Sequence, residues 1–413
     1  MVKESLVAGI DVGSNQVCCV VGALDEEQKL VKILSGAVSQ CSDGIKSGAV
    51  IDIQEASNSM KRAYLEAEKA ASGQIDTVIV AMRGNFIEAH NVKGVANIPN
   101  KEVDEFTISE AMASARESIK LENGKEILQI SPKKFFLDQQ VVQNPMRMEG
   151  NIIEIEALSF VASSTNIKNI LKTMSLSDIE CSDKLYSYMA ASEILLRKEE
   201  KESSCLLIDF GALTTGIVYY EDGVLRYTDE LPVGSEHITK DLMHKLRVSR
   251  QEAEKIKTEH GAAFCFLEFE DREFSYREAD GVTESKASRR DIVNEVILPR
   301  IDQIFCAIVN NIQKSPNLNV PNIILTGGGS KLPYITRACE KCFEDFRPFV
   351  RIGFPLDNKI VGPREIVLNQ VYTAAIGAIY CEFTNSYSLE SSKQQRDFGK
   401  FTNKVKNFIK EIF

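Results

Sequence analysis

Two Asp-x-Gly turns, about 200 residues apart, constrain this 413-residue chain more than anything else in it. The first lies in Ile10-Asp11-Val12-Gly13-Ser14-Asn15-Gln16, the second in Ile208-Asp209-Phe210-Gly211-Ala212-Leu213-Thr214-Thr215. Each ends an apolar, β-branched run that predicts a buried strand. Each is followed by another such run, Val17–Val21 and Ile217–Tyr220. A third run ends in Leu325-Thr326-Gly327-Gly328-Gly329. Glycine lets the backbone approach a ligand and take positive φ without strain. Successive N–H groups then form a concave nest for an anion. A carboxylate repels phosphate, so Mg²⁺ or water must stand between them. One such turn is ordinarily a plain β-turn. Two of them, with the later Thr-Gly-Gly-Gly, predict a Mg-nucleotide clamped between two similar halves. Asp11 and Asp209 are then the metal-facing groups, acting through water. Gly13 and Ser14, with Asn15 and Gln16 in the same loop, serve the outer phosphates from one half. Gly211, Thr214 and Thr215 face them from the other. Gly327, Gly328 and Gly329 border the nucleoside and inner phosphates. Neither G-x-x-x-x-G-K-[ST] nor G-x-G-x-x-G occurs.

The rest of the chain alternates strand and helix patterns, which predicts α/β units. Strands are expected near Leu6–Asp11, Val17–Leu24, Lys32–Val38 and Thr77–Met82, with a helix over Ile53–Ala71. From Gly84 to about Ala162 the texture changes to polar-rich strands (Glu126–Ser131, Phe135–Val142, Ile152–Val161) and one helix, about Thr107–Ile119. That pattern predicts a self-contained α+β insertion. Helices follow over about Thr165–Ser175 and Lys184–Leu196, and the charged run Arg197–Glu202 predicts the crossing to the second half. Ser235–Leu246 and Ser249–Glu259 predict helices with Ser N-caps, and Arg289–Lys314 a long helix with Pro299 as a kink.

A net charge of −10 argues against a general nucleic-acid binder. Ten cysteines are scattered, and most, including Cys18, Cys19, Cys205 and Cys306, sit in apolar runs that predict buried free thiols. Cys339-Glu-Lys-Cys342 is a lone pair, weak as a metal or redox signal. With no signal peptide the expected compartment is the reducing cytosol. No apolar run reaches the ~18 residues that a membrane span needs.

The charge is uneven. Lys393–Phe413 holds six basic and two acidic residues, a local net charge of +4 that leaves −14 elsewhere. In the same stretch Phe398, Phe401, Val405, Phe408, Ile409, Ile412 and Phe413 fall within an arc of about 140° at helical spacing, with Lys404 and Lys410 outside it. Such a helix is too short and too charged to span a bilayer, and is expected to lie in its interface on anionic lipid. Docking on the chain's own core is the alternative; the polar linker Thr384–Gln395 argues against it.

At these residues the chain resembles the actin-like ATPase superfamily and, within it, the FtsA family of bacterial cell-division proteins. The resemblance runs through Ala8–Gly22, Ser39–Asp52 (with Gly44, Lys46, Gly48 and Ile51), Ile130–Pro145, Gly211–Tyr227, Ala253–Ala263, Asn294–Ile301, Ile323–Pro333 and Tyr372–Ala378, and ends in the basic amphipathic tail. It implies an α/β, two-halved actin-like ATPase fold with an α+β insertion subdomain in the first half and a C-terminal amphipathic helix. Residues 1–83 with 163–197 and 350–383 would form the first half, and 84–162 the insertion. Residues 198–233 with 289–349 would form the second half, and 234–288 its lower subdomain. The linker would be 384–395 and the membrane-targeting helix 396–413.

The resemblance also implies ATP and Mg²⁺ as cofactors and a peripheral position on the cytoplasmic face of the membrane at the division site. Implied partners are other copies of the chain in a filament, other division proteins, and the C-terminal peptide of FtsZ. Glu254 and Lys257 would approach the adenosine, or else form a solvated helix face. Lys286, Arg289 and Arg290 would meet the FtsZ peptide, or else form a solvated basic turn. Gly377 would pack beside the hinge. Two departures stand out: Asn15-Gln16 where the family often has Lys, and Ala212-Leu213 where many relatives have glycines. They imply ATP binding with slow hydrolysis or almost none. His90, His237, His244 and His260 lie outside the phosphate motifs, and no base is evident. An actin-like pilus-assembly adaptor or a small-molecule kinase of the superfamily remain the alternative readings.

The tail makes a direct prediction. Phe401→Asp with Phe408→Asp sets charges into the acyl boundary and abolishes co-sedimentation of the full chain with vesicles of any lipid. Lys404→Gln with Lys410→Gln weakens it on anionic vesicles alone. A chain truncated after Ser392 that still pellets would exclude the tail as the anchor.

Overall fold

Leu6–Val12 is buried at all seven positions, so it must be covered on both faces. The computed structural model, which describes residues 5–25, 27–41, 43–266, 271–313 and 318–384, places it inside a six-stranded sheet. The order across that sheet is Asp183–Tyr186, Ile75–Met82, Leu6–Val12, Gln16–Asp25, Leu30–Gln40, Ile360–Val361. Leu6–Val12 runs antiparallel to the strand after it (Val12 opposite Val17) and parallel to Ile75–Met82 (Asp11 opposite Ala81). The helix Ile53–Ala71 spans the range its periodicity predicts and packs on the two antiparallel neighbours. Asp52 caps it, accepting from the N–H groups of Gln54 and Glu55, and Ser72 ends it in the left-handed region.

The helix Thr373–Thr384 packs on Leu6–Val12 and against Ser187–Leu195. Here glycine is required for close approach. A Cβ on Gly9 would lie 2.0 Å from the Ala375 carbonyl oxygen, and one on Gly377 would lie 2.2 Å from that of Ala190.

Several elements differ from expectation. Asp183–Tyr186 is a strand, parallel to Ile79–Met82, and the helix starts only at Ser187. All nine residues of Ser187–Leu195 are buried, so no amphipathic period marks its start. In the insertion, Lys125–Leu137 is one strand through Pro132, which sits where the register against Ile152–Ser163 shifts. A tight turn at Asp138 and Gln139, both at positive φ, leads to Gln140–Val142.

The insertion sheet is antiparallel, in the order Ile87–Asn97, Ile152–Ser163, Lys125–Leu137, Gln140–Val142. Its first strand has no counterpart in the sequence reading, because only Val92, Gly94 and Ala96 of it are buried. The helix Glu105–Glu117, capped by Asp104, lies on that strand so closely that a Cβ on Gly94 would stand 1.9 Å from the Ala111 carbonyl oxygen.

The chain divides into two units: Met1–Glu202 with Tyr220–Thr228 and Phe354–Phe413, and Ser203–Tyr219 with Asp229–Gly353. In the second, the strands Cys205–Phe210, Asn322–Thr326 and Phe349–Ile352 are parallel neighbours. The helices Ser235–Leu246 and Arg250–His260 pack together. Ser249 caps the latter as expected, but Gly234, not Ser235, is the cap residue of the former. The long helix is Arg289–Ile292, a wide turn over Val293–Ile297, then Leu298–Ile312. Pro299 has no N–H and crowds the carbonyl four residues back, which favours the wider turn there. Cys306 lies on the exposed face of this helix rather than in its core, opposite the buried Ile304, Phe305 and Ile308. Among the described residues no helix is long and apolar enough to cross a membrane. The tail residues Phe398, Phe401, Lys404, Val405, Phe408, Ile409, Lys410, Ile412 and Phe413 lie outside the described residues.

Gly377→Ala should destabilise the chain. Helix propensity gains about 1 kcal/mol, but the new Cβ meets backbone, and overpacking of this kind costs roughly 1–3 kcal/mol or more. A urea titration should show an earlier midpoint; an unchanged or later one would mean that the helix can shift.

Candidate phosphate-binding site

The two Asp-x-Gly turns are one structure made twice. In the first, the Gly13 N–H donates to the Gln16 carbonyl at 3.0 Å; in the second, the Gly211 N–H donates to the Thr214 carbonyl at 3.0 Å. A Cβ on either glycine would lie 2.8 Å from that same carbonyl oxygen. Asp11 and Asp209, each two residues earlier, are both only 5% exposed.

In the first unit, three neighbouring strands deliver charged and polar groups to one edge of the sheet. Asp11 closes Leu6–Val12, Arg83 follows Ile75–Met82, and Ser187 follows Asp183–Tyr186. The Arg83 Nη2 donates to Asp11 Oδ2 at 2.6 Å, and the Ser187 hydroxyl donates to Oδ1 at 2.9 Å. Both carboxylate oxygens therefore hold strong donors. The Arg83 guanidinium also lies 5.3 Å from the centre of the Tyr188 ring. Ser14 is buried beside this edge, while Asn15 and Gln16 are half-buried; the Asn15 carbonyl accepts from the Cys41 N–H. The carboxyl ends of such strands are the usual place for a ligand in an open α/β sheet. Arg83 and Ser187 were missed in the sequence. A cation directly after a predicted buried strand was the one available signal for Arg83.

In the second unit, the pairing of Asp209 with Thr326 sets the Gly-Gly-Gly run beside the turn. Gly327 has φ +83°, and a Cβ on it would lie 2.4 Å from Asp209 Oδ1. A Cβ on Gly329 would strike the Phe210 ring at 2.6 Å, whereas Gly328 has nothing within 4 Å. The helix after Gly234 is bonded to the turn: the Ser235 N–H donates to the Gly211 carbonyl at 2.9 Å, and the Glu236 N–H to the Ala212 carbonyl at 2.8 Å. In a trans peptide the C=O and the next N–H point opposite ways. The N–H groups of Ala212 and Leu213 are therefore aimed away from that helix, as an anion nest requires. Thr215 is held otherwise, its hydroxyl donating to the Val233 carbonyl at 2.7 Å, and Thr214 is buried.

Glu254 and Lys257 form a connected network rather than a solvated face. Lys257 Nζ lies 2.7 Å from Glu254 Oε2 and donates to the Thr239 hydroxyl at 2.9 Å, and that hydroxyl donates to Glu254 at 2.7 Å. Burial favours the protonated Glu254, but Lys257, with Thr239 and Arg250, outweighs it and holds the pKa below the usual value. His237 accepts from or donates to the backbone at Gly234, and burial lowers its pKa. Lys286 is exposed; Arg289 and Arg290 are half-buried, and Arg289 Nε donates to the His260 carbonyl at 3.0 Å. Among the described residues no three His, Cys, Asp or Glu side chains gather as a metal site.

This architecture defines an actin-like ATPase fold. Among solved structures it is similar to the PilM-PilN type IV pilus biogenesis complex, with a TM-score of 0.62, 14% identity, and 91% of this chain and 98% of that one covered. It is also similar to MreB5 of Spiroplasma citri bound to ADP, at 0.55, 12%, 92% and 97%. Two family models match the sequence: "Cell division protein FtsA" over residues 206–377 and "SHS2 domain inserted in FTSA" over residues 84–161. Cell division protein FtsA of Borreliella burgdorferi is 29% identical over the full length of both chains. That of Pseudomonas aeruginosa is 27% identical over 91% of this chain and 88% of its own, and that of Escherichia coli K12 24% over 99% of each. The chain belongs to the FtsA family of cell-division proteins.

Gly327→Ala and Gly328→Ala should behave differently. The first combines a left-handed backbone with a clash on Asp209 and should cost more than about 2 kcal/mol. The second meets open space and should cost little. Thermal unfolding of both variants checks this; equal shifts would mean that the contact with Asp209 carries no weight.

Proposed function

We propose that this chain is a membrane-anchored, ATP-binding member of its family that polymerises and tethers the FtsZ ring to the cytoplasmic membrane. One observation carries the nucleotide part: the same glycine-closed turn, below a buried aspartate, stands in each unit. Backbone N–H groups aimed out of the turn and a glycine run beside it are what polyphosphate binding needs. MreB5 of Spiroplasma citri, of like fold, is bound to ADP in one structure and to AMPPNP in another. Gly13, Ser14, Gly211 and Gly328 are the groups that would meet phosphate in this reading, and Asp209 the group that would face Mg²⁺ through water.

Filament formation draws support from MamK, of like fold with a TM-score of 0.51, which is described as a double helical filament. Membrane attachment rests on the apolar arc and lysines of the tail, and the FtsZ contact on the basic residues Lys286, Arg289 and Arg290. No carboxylate or imidazole beyond Asp11 and Asp209 sits in the two turns, which favours slow hydrolysis.

Asp209→Asn should weaken Mg-ATP binding and reduce its dependence on Mg²⁺. Calorimetry of the full chain with and without Mg²⁺ tests this. No ATP binding by the unmodified chain would remove the nucleotide reading; an unchanged Mg²⁺ dependence in the variant would remove Asp209 from the metal.

A further inference from the structure

Asp11, at the head of the first turn, is paired with a cation. Its Oδ2 lies 2.6 Å from Arg83 Nη2, and the two residues are 5% and 8% exposed. The Ser187 hydroxyl holds the other oxygen. We propose that Arg83 is a built-in counter-charge of the phosphate site: its guanidinium neutralises Asp11 permanently, so that phosphate can approach the first turn without a metal ion there. This rests on the nucleotide reading above.

The physical argument has three parts. First, an unpaired carboxylate a few ångströms from a polyphosphate is strongly unfavourable, because like charges repel and a site shielded from water screens them weakly. The turn Gly13-Ser14-Asn15-Gln16 has no cation of its own, so the opposing charge must come from elsewhere. Secondly, Arg83 keeps its charge at every accessible pH, and its planar fork suits both carboxylate and phosphate. A hydrated Mg²⁺ at Asp11 would be placed beside that guanidinium and repelled by it.

Thirdly, Arg83 is fixed in place. It leaves the end of a buried strand, and a Cβ on Gly48, at φ +77°, would stand 1.9 Å from its carbonyl oxygen. Gly84 follows it at φ +142°, and the Tyr188 ring lies against its guanidinium. A cation held this firmly needs no reorganisation when the ligand arrives.

The test is calorimetry with ATP on the full chain, in excess Mg²⁺ and in EDTA, and it reads the ratio of the two affinities. Arg83→Gln should lower affinity in EDTA at least about tenfold and lose less in Mg²⁺, so the ratio rises. Asp209→Asn should lower the ratio. In Arg83→Gln with Asp11→Asn the unpaired carboxylate is gone, so affinity in EDTA should recover and the ratio return towards that of the unmodified chain. Arg83→Lys should lie between. Thermal melts confirm that each variant is folded; the double variant and Arg83→Lys keep the test open should Arg83→Gln unfold. If the unmodified chain binds ATP but neither arginine variant changes the ratio, Arg83 is only a structural partner of Asp11 and the proposal is wrong. If the unmodified chain binds no ATP, the nucleotide reading itself fails, a result that the arginine variants cannot mimic.

Discussion

A carboxylate at the end of a fully buried strand is expensive to keep ionised, and much of the site follows from that. In the first unit the charge is met by Arg83 and Ser187, brought in by two neighbouring strands. Their arrival depends on the sheet order, since Asp183–Tyr186, Ile75–Met82 and Leu6–Val12 must be adjacent and parallel for all three ends to meet. In the second unit the equivalent carboxylate is approached by Gly327, whose missing side chain leaves room for Asp209 Oδ1. A buried charge is tolerated only where partners compensate it.

Close backbone contact is the second organising device. Gly9 against Ala375, Gly377 against Ala190, Gly94 against Ala111 and Gly48 against Arg83 each place a carbonyl where a Cβ would collide. Three of these join a helix to a strand or to another helix, and the fourth fixes the residue that neutralises Asp11. Of the four, the contact of Gly48 with Arg83 lies at the sheet edge that carries Asp11. The insertion has its own small core under Glu105–Glu117, built on Val92, Ile108, Ala111, Ile153 and Ile155 among others.

Local chemistry made much of this legible in the sequence. The helix Ile53–Ala71, the strand ends at Asp11 and Asp209, the glycines of the two turns, and the Ser249 cap followed from periodicity, turn chemistry and capping, which act over a few residues. The two-halved actin-like fold and the family followed from the motifs those rules exposed. Elements outside those rules were misread: the strand Ile87–Asn97, exposed on most of its length, and the strand–helix switch at Tyr186, where burial on every side erases the period. Cys306 was misplaced because an apolar neighbourhood in sequence does not say which face of a helix a residue takes.

Alone, the sequence determined where strands end in Asp-x-Gly, since a β-branched apolar run and a glycine turn are decided by near neighbours. It also determined the charged and apolar pattern of the tail. Tertiary structure decided which groups surround those turns. Asp11 and Arg83 are 72 residues apart, and Ser187 lies 176 from Asp11; no local rule couples such distances. Only the order of strands in the sheet brings them together, because hydrogen-bonded neighbours are chosen by the pairing of whole strands and not by any one residue.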